Sequence, residues 1–230
     1  MTKIHIMLDL ETWGKRAGCD IRSIGACVFV PTTGFVHDGS LGTIRPFYQA
    51  VDNPILATGP DWIETLGFRP NPVDPRYDVV TNIYRKYDLW RDHETVEWWN
   101  EQSDEAQAAF ANPIDLRDGL AKFADWLDIL TDNRTMLPAP RLSIYAHGPQ
   151  FDISILEAAY HATGLLVPWH YRAPRDTRTA FDMAGIDDHS SFMARFPVGT
   201  LHHALDDAIS QARAVCEAFA IVRKQRETES

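Results

Sequence analysis

The sequence has no uninterrupted apolar run near the roughly 18–20 residues that a membrane-crossing helix needs, so no membrane partner is expected. It is also poor in cysteine. Cys19, Cys27 and Cys216 are odd in number and stand at no metal-knuckle spacing, which argues against a disulfide framework or a zinc knot. Reduced thiols and a cytoplasmic setting are the expectation. Positive charge is scarce too: 22 Lys and Arg stand against 32 Asp and Glu, a net charge of −10. A protein that grips long nucleic-acid duplexes by their backbones usually shows a basic surface. If nucleic acid is the partner here, local sites and bound cations must do most of the work, and a short contact with a strand end fits better than a long footprint. The opening residues, MTKIHIMLDLETW, begin an apolar run that Asp9 and Glu11 interrupt. No small-residue cleavage site follows, so the segment reads as a strand and not as a leader.

What is present is ordinary globular material. The chain has 230 residues, 45% hydrophobic and 11% aromatic, enough for one domain over 1–230 with a sizeable core. Residues 3–10, 21–30 and 40–48 read as an antiparallel three-strand meander, with turn chemistry at Pro31-Thr32-Thr33-Gly34. Residues 49–92 hold five of the fourteen prolines and show no sustained period. They read as an irregular insertion with a short helix near 60–67, kept in order by its aromatics. One helix is expected over 93–111. A second, over 115–131, places Leu116, Leu120, Phe123, Leu127 and Leu130 on one stripe. A strand over 141–146, a helix over 151–163, a last strand near 169–173 and helices near 176–185 and 203–225 complete the order. Strands first and then alternation imply an α/β fold with a mixed sheet.

Chemistry concentrates in a few acids. Asp9 and Glu11 lie two apart on a predicted strand, so both carboxylates point to one face, roughly 7 Å apart at the backbone. They sit at the strand's C-terminal end, where α/β sheets place ligands. Two such acids repel unless a cation lies between them, and hard carboxylate oxygens suit Mg²⁺ or Mn²⁺. A solvated strand end is the bland alternative. Asp152 follows the His147-Gly148-Pro149 break at the start of a helix, where an acid also serves the helix dipole alone. On the last helix, Leu201, Leu205, Ala208, Ala212, Val215 and Phe219 form the main stripe. Asp207 shares a flank with Ala204, Gln211, Ala214 and Ala218, whereas Asp206 shares the other with Ser210, Arg213 and Glu217. Small residues mark a face that approaches a sheet closely, so Asp207 is the inward acid. His202 is five residues earlier, about 140° away on a continuous helix. Serving one site with Asp207 therefore requires it to lie just before the helix, in a mobile loop. Trp98 and Trp99 are read as core or interface residues, since neighbours on a helix do not share one contact.

Taken in order, Asp9-Leu10-Glu11-Thr12, the His-Gly-Pro-Gln-Phe-Asp segment ending at Asp152, and His202 with Asp207 resemble the DEDDh 3′–5′ exonuclease family. Asp176-Thr177 resembles a common Asp-Thr before the penultimate helix. The likeness spans residues 9–207 and is nearest to the phage exonuclease A type and the mycobacterial-type exoribonucleases. It implies an RNase H-like fold, a mixed five-stranded sheet flanked by helices. It implies two Mg²⁺ ions (Mn²⁺ substituting) held by Asp9, Glu11, Asp152 and Asp207, with His202 as general base. The implied partner is DNA or RNA with a 3′ end, and the product a nucleoside 5′-monophosphate. A bacterial or phage-infected cell is the implied setting, and pairing into homodimers among relatives leaves that state open. Thr12, Trp13, Phe151, Arg172, Arg175 and Arg178 are the secondary candidates for substrate contact, Trp13 by stacking on a terminal base and the arginines by steadying phosphates. An RNase H-like endonuclease or an inactive nucleic-acid-binding protein are the alternatives. The Gly-Pro-Gln of the second motif and the 49–92 insertion depart from the family pattern.

Overall fold

A computed structural model describes residues 3–40, 45–59, 66–67, 73–79, 81, 83–131 and 142–228. In chain order the elements are β1 (Ile4–Thr12), β2 (Ile21–Val30), β3 (Phe35–Val36), β4 (Phe47–Asp52), β5 (Ile55–Thr58), β6 (Tyr77–Asp78) and β7 (Ile83–Arg85). They continue with α1 (His93–Asn100), α2 (Asp104–Ala108), β8 (Ile114–Asp115), α3 (Leu116–Thr131), β9 (Leu142–Ala146) and α4 (Asp152–Ala162). The last are β10 (Pro174–Asp176), α5 (Thr177–Met183), α6 (His189–Met193) and α7 (Ala204–Thr228).

The main sheet runs β10-β9-β1-β2-β4-β8, with β3 added beside β2. β1, β2 and β4 pair antiparallel, whereas β9 and β10 run parallel to β1. The expected mixed sheet is therefore present. Its five principal strands are extended by β3 and β8, two residues each, which carry too little pattern to be read in sequence.

Alternation along β1 sorts the layers. Ile6, Leu8 and Leu10 enter a core with Leu116, Leu120, Phe123 and Leu127 of α3 and Ile153, Leu156 and Tyr160 of α4. Met7 enters the opposite core with Cys27, Phe29, Phe181 and the alanine-rich side of α7. Asp9 and Glu11, in step with Met7, share the side that α7 covers. The expected stripe on α7 is displaced toward the small residues: Ala204, Ala208, Ala212, Ala214 and Ala218 are buried, whereas Leu205 and Phe219 are only partly so. Leu201 lies before the helix and is 70% exposed. Close approach explains this. A Cβ on Gly25 of β2 would come within 2.2 Å of Ala204 C and Leu205 N, so the first turn of α7 rests on bare backbone.

Other boundaries shift for local reasons. The 93–111 helix is two, because Ser103 caps a new start by accepting from Ala106 N. The third strand begins after Pro46 and the last after Ala173, each later than expected. Residues 49–92 are more regular than their prolines imply. They complete β4 and form a separate β5-β7-β6 sheet. Buried Asn53 holds that segment in place, donating to Tyr87 O and accepting from Tyr87 N. Arg91 bridges buried Asp20 and Asp52. Most of the short helix expected near 60–67 lies outside the described residues. Cys19, Cys27 and Cys216 are free and buried. Among the described residues no helix is long and apolar enough to cross a membrane.

Candidate active site

Three strand and helix ends converge at the C-terminal edge of the sheet. β1 brings Asp9 and Glu11, the turn after β9 brings Phe151 and Asp152, and the start of α7 brings His202 and Asp207. A cavity of about 460 Å³ opens there, lined by Asp9, Glu11, Phe151, His202 and Asp207 among others. Asp152 sits behind it, 3% exposed, and accepts from Leu10 N at 3.2 Å. That bond ties α4 to β1 across 142 residues of chain.

Glu11, His202 and Asp207 each offer a ligand atom, and all three atoms lie within 4.8 Å of one another. His202 is in the turn before α7 with φ 62, which allows it to face Asp207 where a continuous helix would turn it away. Asp206 points elsewhere, its carboxylate accepting from Thr200 N at 2.9 Å. The helical-wheel choice of Asp207 is the geometry observed.

Burial holds the acids in an unfavourable ionic state. Desolvation raises Glu11 to about 8, with Asp207 adding to it and the Arg22 guanidinium opposing. Asp152 is raised to about 7 by burial, against the pull of Leu10 N–H and Arg178. Asp207 is raised to about 6 by burial, with the His202 backbone N–H drawing it down. Asp9 keeps some surface in the cavity, yet burial first and then Asp152, Glu11 and Asp207 push it well above an ordinary aspartate. Four carboxylates that cannot all ionise together form a site whose negative charge Arg22 and Arg178 offset only in part. Their hard oxygens fit divalent cations, so the donor set and its electrostatics agree with a metal centre. Burial lowers the His202 pKa, favouring the neutral ring that accepts a proton.

Several residues at the site are not legible from motifs. Gln211 Nε2 donates to Asp9 Oδ1 at 2.7 Å. The helical wheel put Gln211 on the Asp207 flank, and that was the available signal. Trp98 and Trp99 both meet His202 edge-on, at ring-centroid distances of 4.9 and 6.0 Å. The expectation that adjacent helix positions cannot share one contact fails, because both indoles are long enough to converge on a ring beyond the helix end. Trp99 is buried and donates to Thr12 O at 2.8 Å, whereas Trp98 is 41% exposed at the cavity wall. Lys15, Glu94 and Thr95 complete that wall.

The secondary candidates divide. Thr12 and Phe151 line the cavity. Trp13 does not; the guanidiniums of Arg22 and Arg91 lie over its ring at 4.2 and 4.5 Å, occupying the surface a base would need. Arg172 is exposed and donates to Tyr171 Oη, and Arg175 donates to the carbonyls of Arg172, Ala173 and Pro174. Arg178 lies against Gly148 and reaches the site only through its charge on Asp152. None of the three lines the cavity. Asp176 caps α5 by accepting from Arg178 N, and Thr177 pairs with His147.

Cell-death related nuclease 4 (CRN-4) is similar in structure, at 13% identity and a TM-score of 0.58 over 94% of this chain and 63% of that one. Product-bound exonuclease I is similar at 13% identity and a TM-score of 0.50, over 99% of this chain and 45% of that one. This chain thus spans less than two thirds of either protein, and the likeness is one of fold. The nuclease domain of 3′hExo, a DEDDh family member bound to rAMP, aligns at 14% identity over 98% of this chain and 93% of that one, with a TM-score of 0.46. No match was found among curated protein sequences. A family model described as the 3′-5′ exoribonuclease Rv2179c-like domain matches residues 4–219, and the chain belongs to that family.

Proposed function

We propose that this chain removes nucleotides singly from the 3′ end of an RNA strand, with Mg²⁺ as the resident ion and Mn²⁺ able to replace it. The observation that carries the reading is the convergence of Glu11, His202 and Asp207 ligand atoms within 4.8 Å beside two further buried acids. Asp9, Glu11, Asp152 and Asp207 would hold the ions, which when bound stabilise negative charge on the attacked phosphate and its leaving oxygen. The chain's own part is positioning and proton transfer. His202, neutral through burial, takes the proton of the attacking water. Trp98 and Trp99 keep the imidazole from rotating away from that water. Phe151 and Trp98 present apolar walls to the terminal base, and the cavity of about 460 Å³ suits one nucleotide more than a duplex. A terminal contact of that size also fits a net charge of −10, since few phosphates need be neutralised.

End-labelled RNA and DNA strands, free or blocked at the 3′ end, incubated with Mg²⁺ or Mn²⁺ test this. A ladder shrinking from a free 3′ end with nucleoside 5′-monophosphate released is expected, RNA being cut faster. Asp9→Ala and Asp207→Ala abolish it with the fold intact, and His202→Ala lowers the rate about 10²–10⁴-fold. Internal cuts, or undiminished hydrolysis of 3′-blocked strands, would overturn the exonuclease reading.

A further inference from the structure

The first acid of the Asp206-Asp207 pair is left unused by the chemistry above, and it is not a free surface carboxylate. Asp206 touches the chain on both sides of His202. Toward the N-terminus its Oδ2 accepts from Thr200 N at 2.9 Å. Gly199 presses against the same oxygen so closely that a Cβ there would sit 2.0 Å away, and its φ of 50 is one glycine adopts readily. Toward the C-terminus, the Asp206 backbone N–H donates to His203 Nδ1 at 3.3 Å. The His203 ring in turn lies stacked on Tyr48 of β4, centroids 4.2 Å apart and planes 19° from parallel. Tyr48 is anchored at its far end, its hydroxyl donating to Ala109 O.

Between these two holds stands His202 with φ 62. A left-handed backbone is unfavourable for a residue with a Cβ, so such a conformation persists only where the surroundings over-determine it. The contacts of Asp206 supply that over-determination. One carboxylate pins the turn before His202, and one stacked ring pins the residue after it to the sheet. Meanwhile Asp206 does not line the cavity where Asp207 does.

We propose that Asp206, with Gly199, His203 and Tyr48, is a brace that fixes the aim of His202 at the reacting water: Asp206 is a positioning residue for the base. This rests on the reading of His202 as general base, and it separates the two acids by role, one facing the metal centre and the other holding the turn that carries the base. The brace is assembled without substrate, so His202 does not need substrate binding to reach its orientation.

The test is a double-mutant cycle on a 5′-labelled oligoribonucleotide with a free 3′ end, with Mn²⁺ binding titrated in parallel. Asp206→Ala is expected to lower kcat about 10- to 100-fold, the scale of a misplaced catalytic group, while KM and Mn²⁺ affinity stay at the parent values. Asp206→Asn keeps an oxygen acceptor for Thr200 N–H and is expected to restore kcat. The decisive readout is non-additivity: Asp206→Ala combined with His202→Ala is no slower than His202→Ala alone, because a brace has nothing left to aim. Tyr48→Leu, which removes the stack from the opposite side, gives the same pattern and replaces Asp206→Ala if that variant folds poorly. Additive losses, or a fall in Mn²⁺ affinity equal to the fall in rate, overturn the brace while leaving the base assignment intact. A fully active His202→Ala instead overturns the base, and the brace with it.

Discussion

At the scale of single residues, the site turns on how buried carboxylates are kept compatible. Gln211 is the one neutral side chain that donates directly to Asp9, at 2.7 Å, among the contacts of the described residues. Its amide fixes which Asp9 oxygen faces the cavity, and outer partners of this kind change metal affinity about 10–100-fold when removed. Gln211→Leu is therefore expected to weaken Mn²⁺ binding by that order while leaving the fold in place; unchanged binding by calorimetric titration would show that Asp9 needs no such partner. The residues of this site were unevenly legible. Asp9 and Glu11 follow from strand alternation, and Asp207 over Asp206 from the helical period, since both are local rules that depend on spacing alone. Gln211 against Asp9 joins positions 202 apart in sequence, and no periodicity links them. Trp13 had the correct neighbourhood but the wrong partner, because its ring is taken by Arg22 of β2 and Arg91 of the loop before α1.

At the scale of elements, the decisive contact is α7 on β2. Helix and strand meet where Gly25 offers no side chain, and the alanines of α7 complete the approach. This sets the height of Asp207 above β1. Gly25→Ala would drive a Cβ to 2.2 Å from backbone atoms of Ala204 and Leu205, which cannot yield as a flexible side chain does. Overpacking of this kind costs about 1–3 kcal/mol. The larger effect is expected on rate: lifting the first turn of α7 moves Asp207 and His202 together, so kcat should fall at least about 10²-fold in protein that still melts cooperatively. A variant with parent kcat would show that the helix start tolerates displacement. Elements were legible where one face is buried along a whole length. The α3 stripe of Leu116, Leu120, Phe123 and Leu127 is such a case. The two-residue strands β3 and β8 and the break at Ser103 were not, since backbone pairing and a single cap decide them. The prolines of 49–92 hid regular structure, because β5 is short enough to fit between Pro54 and Pro60, and β6 and β7 both follow Pro75.

At the scale of the whole molecule, folding works against its own active site. Glu11 moves from 4.5 to about 8, Asp152 from 3.8 to about 7 and Asp207 from 3.8 to about 6, each chiefly through burial, and Asp9 moves in the same direction. The folded chain thus binds these protons more tightly than the unfolded chain. Where the native state holds more protons, stability falls as pH rises. The loss begins near pH 4, where the unfolded carboxylates ionise, and the Glu11 share of it is complete above about pH 8, where Glu11 has ionised in the fold as well. His202, lowered by burial, acts in the opposite sense: it removes stability as pH falls below about 6.5. His5 and His147, lowered by burial as well, act with His202, whereas Asp20, raised to about 6, joins the four site acids; five raised acids against three lowered histidines set the slope. A divalent cation at the four carboxylates would supply the counter-charge that Arg22 and Arg178 provide only in part, and a ligand that binds only the folded state stabilises it by mass action. Metal-free protein is therefore expected to show a Tm that declines from pH 5 to pH 8.5, each kcal/mol lost lowering it by about 2–4 °C in a chain of this length. Millimolar Mn²⁺ should raise Tm little at pH 5 and most at pH 8.5, flattening the profile. Asp207→Asn should flatten the metal-free profile as well, and gain nothing from Mn²⁺. Parallel profiles with and without the ion, or a metal-free Tm that climbs with pH, would mean that these acids carry no electrostatic stress and that the site was not built around a cation.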